Sequence, residues 1–420
     1  MKSIVLTSVA VVLQAASLMA SATTTELVVD YPYPGIFKNL QEELASRFIK
    51  ANPDISIKFS APATDYEQAN QRVLLQSVTG QTPDITFQGL NRQRVLIDKG
   101  IPVDLTPFIA GDKDYAGLGL NENLLKVGQF SGKQYGIPFS LSTPIVYINT
   151  TLIRRAGGDA DNLPSDWDGL FALAKKVNTL GGGIRGFHYD WDISGNWLWQ
   201  ALVYSHGGSM TSEDERRVQF GDQAGQTAIR RLGEMRTVAG MKDVPYTVSV
   251  QDFIAGNLAI WVQTTAFLGN VSRQVGDKFV FKTVAYPLGL ASGKVPAGGN
   301  VAMMLTTDPI KQKAAWRYMK FLASPESATL MVKTTGYFPV NETAVTKQEF
   351  LADFYKANEN YRTALKQLNY TTTWYAFPGQ NGLKITDVIQ DGLHSVVAGR
   401  AAPDAALADI VNKTQKLLGR

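Results

Sequence analysis

The run Phe187-His188-Tyr189-Asp190-Trp191-Asp192 continues through Asn196-Trp197-Leu198-Trp199, so three of the seven tryptophans fall within nine residues. Flat aromatic faces that pack on C–H groups, ringed by amides and carboxylates, suit a sugar, because small-molecule sites combine apolar walls with a few placed polar groups. Trp191 and Trp197 have polar and glycine neighbours and are candidate ligand contacts, whereas Trp199, at helical spacing from Val203, reads as core. Asp190, Asp192 and Glu67 are the residue types that flank a scissile glycosidic bond in a hydrolase. A chain with 37 acidic residues supplies such pairs everywhere, and spacing along the chain does not fix their separation.

Other catalytic patterns are missing. The three histidines, His188, His206 and His394, lack metal-ligand spacing, and there is no nucleophile elbow or phosphate-binding loop. Gly181-Gly182-Gly183-Ile184-Arg185-Gly186 fits the letters of a dinucleotide fingerprint, which needs a strand before it and a helix after it. Here the helix-like Leu170 to Val177 precedes the glycines and the non-helical Phe187 to Trp191 follows, so the segment reads as a loop. No metal and no cofactor are expected.

The elements that must hold the tryptophans belong to a chain of 420 residues, long enough for two domains or more. Zero cysteines exclude a disulfide framework, thiolate metal sites and a cysteine nucleophile, and 41 basic against 37 acidic residues exclude a general nucleic-acid binder. Met1-Lys2-Ser3, the apolar Ile4 to Met19 and Ala20-Ser21-Ala22 together read as a cleavable secretory signal over residues 1–22. With no cysteine at the cleavage point for a lipid, a periplasmic protein without a lipid anchor is expected.

Past that segment, strand and helix patterns alternate. Glu26 to Tyr31 is β-rich. Ile36, Leu40, Leu44 and Phe48 then recur at helical spacing, Ile55 to Phe59 alternates, Tyr66 to Val78 reads as helix and Asp84 to Phe87 as strand. Alternation of this kind predicts an α/β fold with mostly parallel sheets flanked by helices. Ser165-Asp166-Trp167-Asp168 and Asp308-Pro309 mark two helix starts. No flexible linker is visible, so the domains are expected to be joined by several short crossings.

These residues resemble the family 1 extracellular solute-binding proteins of ABC importers. Gly132-Lys133-Gln134-Tyr135-Gly136-Ile137-Pro138 is similar to the family's "GKxYGxP" turn, and Thr143 to Asn149 to the strand that follows it. Pro164 to Leu170 is similar to its "PxTWxEL" helix start. Gly298-Gly299-Asn300, Ala314 to Pro325 and Thr335 to Val340 follow in family order. Within the family the likeness is to the subgroup that binds glycerol 3-phosphate and related glycerol esters or sugars. Asp65-Tyr66-Glu67-Gln68 resembles its "NYEQ" segment, and Gly382-Leu383-Lys384-Ile385 stands where its "GLRL" places a phosphate-binding arginine. Lysine lacks the bidentate fork that arginine offers a phosphate.

The resemblance implies a two-lobed periplasmic binding protein fold of type II, with a ligand cleft between lobes that close by a hinge. It implies a first lobe of residues 23–141 plus about 272–323 and a second of residues 142–271 plus about 324–420. It implies a carbohydrate or polyol derivative as ligand, delivered to an ABC permease in the inner membrane by a protein expected to be monomeric and to catalyse nothing. Tyr33, Glu67, Ser142, Thr143, Trp191, Trp197, Thr264, Thr265, Gly299, Tyr337 and Lys384 are the expected binding residues. A secreted glycan-active enzyme is the alternative, and a binder serving a chemoreceptor rather than a transporter is a third reading.

Overall fold

The computed structural model describes residues 24–419, so the expected signal segment lies outside the described residues. Two sheets organise the chain. The first has five strands in the order Ile55–Phe59, Thr25–Asp30, Ile85–Gly89, Gly298–Met304, Ile137–Ser142. The second has four, in the order Phe281–Ala285, Pro144–Asn149, Leu258–Thr264, Arg185–Tyr189. Pairing is mixed in both. Thr25–Asp30 runs parallel to both of its neighbours, and Arg185–Tyr189 runs parallel to Leu258–Thr264, whereas Gly298–Met304 and Pro144–Asn149 are antiparallel to theirs. Parallel neighbours are joined by helical crossovers, and strands entering from the other lobe come in antiparallel.

Local sequence explains the flanking helices. Asp65 caps Tyr66–Thr79 by accepting from the Gln68 amide at 2.7 Å, and Gly80 ends that helix in a left-handed conformation. Asp166 caps Trp167–Asn178, and Asp308 with Pro309 starts Pro309–Leu322. Gly181, Gly182 and Gly183 all have positive φ and lead into Arg185–Tyr189. The glycine run therefore precedes a strand, the reverse of a dinucleotide turn.

The cores divide differently from the expected lobe boundaries. Phe281–Ala285 lies within the stretch expected on the first lobe, yet pairs with Pro144–Asn149 in the second sheet. Ala328, Met331, Tyr337, Ala344 and Tyr355, expected on the second lobe, pack with Leu27, Phe37 and Met304 around the first sheet. An apolar helix face goes where it buries most surface, and helix Pro325–Thr334 finds this against helix Pro34–Ala51. The chain crosses between sheets at Thr143 and again over residues 286–297. Gln367, fully buried, ties both crossings: its Nε2 donates to Thr143 Oγ1 at 2.7 Å and to the Pro144 carbonyl at 2.9 Å, and its Oε1 accepts from the Tyr286 amide at 2.7 Å.

Candidate ligand cleft

A cleft of about 800 Å³ lies between the two sheets. The first-sheet wall comes from Tyr33, from Asp65 to Glu67 at the start of helix Tyr66–Thr79, and from Gly298 and Gly299. The facing wall comes from Asp192 to Ser194, Trp197, Tyr246, Gln263, Thr264 and Phe267. Two residues flanking the cleft hold strained backbone. Tyr33, just before helix Pro34–Ala51, has φ 54°, and Asn196, just before Trp197, has φ 53°. A side chain other than glycine in this region is uncommon and persists where surroundings over-determine it, often at ligand sites.

Aromatic rings form a connected floor. Tyr33 meets Tyr66 edge-on at 4.9 Å, Tyr66 meets Trp374 at 6.4 Å, and Trp374 meets Trp197 at 6.1 Å. Tyr337 stacks on Phe37 at 5.5 Å, and burial pushes its phenol up to about 12. Gly299 is required where it is. Its φ is 109°, and a Cβ there would stand 1.9 Å from the Ser140 carbonyl oxygen.

Glu67 is the polar centre of the first wall. Its Oε1 accepts from Arg92 Nε at 3.0 Å and Nη2 at 2.5 Å, and from Ser194 Oγ across the cleft at 2.6 Å. Burial works against its charge, but Arg92 and the hydrogen bonds outweigh burial and hold the carboxyl below its usual range. Asp190 supports the opposite wall from behind. Fully buried, it accepts from Ser249 Oγ at 2.6 Å, Trp261 Nε1 at 2.8 Å and Gln263 Nε2, and His188 Nε2 lies 3.1 Å away. Gln263 is thereby fixed, and its Oε1 accepts from the Thr264 amide at 2.7 Å.

Of the residues expected from sequence, Tyr33, Glu67, Ser142, Trp197, Thr264, Gly299 and Tyr337 line the cleft. Thr143, Thr265, Trp191 and Lys384 do not. Thr143 and Thr265 bond to each other at the crossing between sheets, where Thr265 N donates to the Thr143 carbonyl at 3.0 Å. Trp191 is buried and stacks on His394 at 5.0 Å with a 16° interplanar angle. Lys384 is exposed on helix Gly382–Val397. Tyr246, Gln263, Phe267 and Trp374 line the cleft without having been expected. Trp374 carried the signal applied to Trp197, a tryptophan among polar neighbours, in Thr371-Thr372-Thr373-Trp374.

The pattern of the family described as bacterial extracellular solute-binding protein matches residues 43–383. The chain belongs to that family. It is a solute-binding protein of ABC importers, with the two-lobed type II fold that its resemblance implied. It is 24% identical over 413 residues to the sn-glycerol-3-phosphate-binding periplasmic protein UgpB of Escherichia coli (strain K12), covering 90% of this chain and 89% of that one. The fold matches UgpB from Mycobacterium tuberculosis in complex with glycerophosphocholine, with a TM-score of 0.82, 21% identity and 93% and 98% of the two chains covered. It also matches the ABC substrate-binding protein Lmo0181 from Listeria monocytogenes in complex with cycloalternan, with a TM-score of 0.80, 21% identity and 94% and 99% covered. These relatives are binding proteins by name. Among the described residues, no helix is long and apolar enough to cross a membrane, and no group of three or more acidic or histidine side chains could hold a metal ion.

Proposed function

We propose that this solute-binding protein captures a carbohydrate or polyol in the cleft between its sheets and hands it, in a closed form, to an inner-membrane permease. The observation that carries this reading is a cleft walled from both sheets and floored by Tyr33, Tyr66, Trp197 and Trp374. A ligand touching both walls favours closure, because it binds that state better than the open one. Relatives that bind glycerophosphocholine and cycloalternan on the same fold agree with a polyhydroxylated ligand. Tyr33, Glu67, Ser142, Trp197, Thr264, Gly299 and Tyr337 form its contacts.

The protein acts as a monomer in the periplasm, after removal of residues 1–22, and makes or breaks no bond. Of the acids considered for hydrolysis, Glu67 is tied to Arg92 and Ser194, Asp190 is buried among its donors, and Asp192, on the cleft wall, accepts from the Tyr246 amide. A thermal-shift screen of neutral sugars, polyols and glycerol phosphates, followed by calorimetry, tests the proposal. A rise in melting temperature with a sugar or polyol is expected, since a ligand of the folded state stabilises it by mass action. Release of reducing ends from an oligosaccharide by the pure protein would return the enzyme reading.

A further inference from the structure

Acidic side chains outnumber basic ones along the cleft. Asp65, Glu67 and Asp192 line it, against a single guanidinium, Arg273, among its described lining residues. Arg273 is exposed and donates to the Thr334 carbonyl at 3.0 Å. Arg92, the nearby buried cation, is already committed to Glu67. Lys384, which could have met a phosphate, stands outside the cleft.

Two of these acids hold the places an anionic ligand would use. The start of a helix offers unpaired amides and positive potential, which makes it a natural seat for phosphate. The starts of helices Tyr66–Thr79 and Tyr246–Ala255 face this cleft, as does that of Pro34–Ala51, where Pro34 has no N–H and the Ile36 amide donates to the Tyr33 carbonyl at 2.9 Å. Asp65 caps the first through the Gln68 amide at 2.7 Å, and Asp192 Oδ2 accepts from the Tyr246 amide at 3.1 Å at the second. Their fields converge on the cleft. The Tyr246 phenol is pushed up by burial first, and then by Asp192, Asp190 and Asp65 together.

We propose that Asp65 and Asp192, each set on a helix start facing the cleft, make it reject phosphorylated ligands and take uncharged carbohydrates of more than one ring. This rests on the capture reading above and adds the ligand's charge and size. A phosphate placed against the aromatic floor would meet carboxylates where it needs amides, and specificity against a competitor is commonly built from such repulsion. At about 800 Å³ the cleft lies at the upper end of the roughly 300–1,000 Å³ typical of small-molecule sites, more than a glycerol ester fills.

Calorimetry on the full secreted chain tests this with uncharged di-, tri- and tetrasaccharides, sn-glycerol 3-phosphate, and the 6-phosphate of the best-binding sugar. The wild type is expected to bind at least one oligosaccharide and to bind the phosphorylated probes about tenfold more weakly or worse. Asp65→Asn with Asp192→Asn keeps both cap acceptors and removes both charges, and is expected to narrow that ratio about tenfold. Its melting curve without ligand checks that the variant folds. Tighter wild-type binding of a phosphate ester, or an unchanged ratio in a folded double variant, overturns the inference and leaves capture standing. Failure of every sugar and polyol to bind overturns capture itself.

Discussion

Ser194 Oγ donates to Glu67 Oε1 at 2.6 Å, joining the second lobe's wall to the first across the ligand cleft. Ser194 sits in the short turn after Asp192, and Glu67 in the first turn of helix Tyr66–Thr79, so the bond exists only while the lobes are together. A hydrogen bond to a charged group contributes roughly 1.5–3 kcal/mol. Ser194→Ala should therefore weaken binding about tenfold, with most of the change in the dissociation rate. Surface plasmon resonance with two dissimilar ligands checks it; a faster release of both is the expected outcome.

Arg94 and Glu215 form a second bridge outside the cleft lining. Arg94 Nη1 meets Glu215 Oε1 at 2.5 Å and Nη2 meets Oε2 at 2.8 Å, and the Tyr375 hydroxyl donates to Oε1 at 3.1 Å. Both side chains keep about a quarter of their surface in water, 26% and 22%, so solvent screens the pair and its contribution is modest. Arg94→Ala should lower the affinity for every ligand by one common factor of about two to five, because it shifts the closed population and touches no ligand. Small-angle scattering of the ligand-free variant should show a larger radius of gyration. A factor that varies from ligand to ligand would contradict this role.

Trp191 and Tyr33 should separate stability from recognition. Trp191 is buried and stacked on His394, so Trp191→Ala opens a cavity costing about 3–5 kcal/mol while sparing ligand affinity in the folded fraction. Tyr33 is only half-buried and faces the cleft, so Tyr33→Ala should weaken binding with a small change in melting temperature. Denaturant titration and calorimetry on the two variants give opposite patterns if the placement is right.

Asp30 should shape the pH dependence of stability. Burial pushes its carboxyl up to about 6, against the opposing pull of Arg72 and a hydrogen bond with Thr86. With the folded value above the unfolded one, the unfolded chain releases this proton first. The contribution is fully present below about pH 4 and is lost as pH rises through about 6, a change on the order of 3 kcal/mol. Asp30→Asn should flatten the stability curve between those values in urea titrations, and an unaltered slope would refute the assignment.

Much of the fold was legible because its signals are local. Asp65, Asp166 and Asp308 cap helices through amides two or three residues ahead, and Pro309 fixes the first turn of its own helix. The strand over residues 55–59 follows from simple alternation. The lobe boundaries were not legible, since whether Phe281–Ala285 joins one sheet or the other depends on a partner strand more than a hundred residues earlier.

The site divides in the same way. By itself the sequence determined the family and the residue types of the cleft, including Glu67, Trp197, Gly299 and Tyr337. Only the tertiary structure decided which of two nearby candidates lines the cleft. Thr264 lines the cleft while Thr265 turns back to Thr143, and Trp197 lines it while Trp191 meets His394. Adjacent side chains along an extended or turning backbone point in different directions, so one residue of register moves Thr265 from the cleft wall to the crossing between the sheets. Lys384 shows the limit from the other side. Its place in the motif was readable, but the helix Gly382–Val397 turns Ile385 and Ile389 inward to bury apolar surface and leaves Lys384 in water.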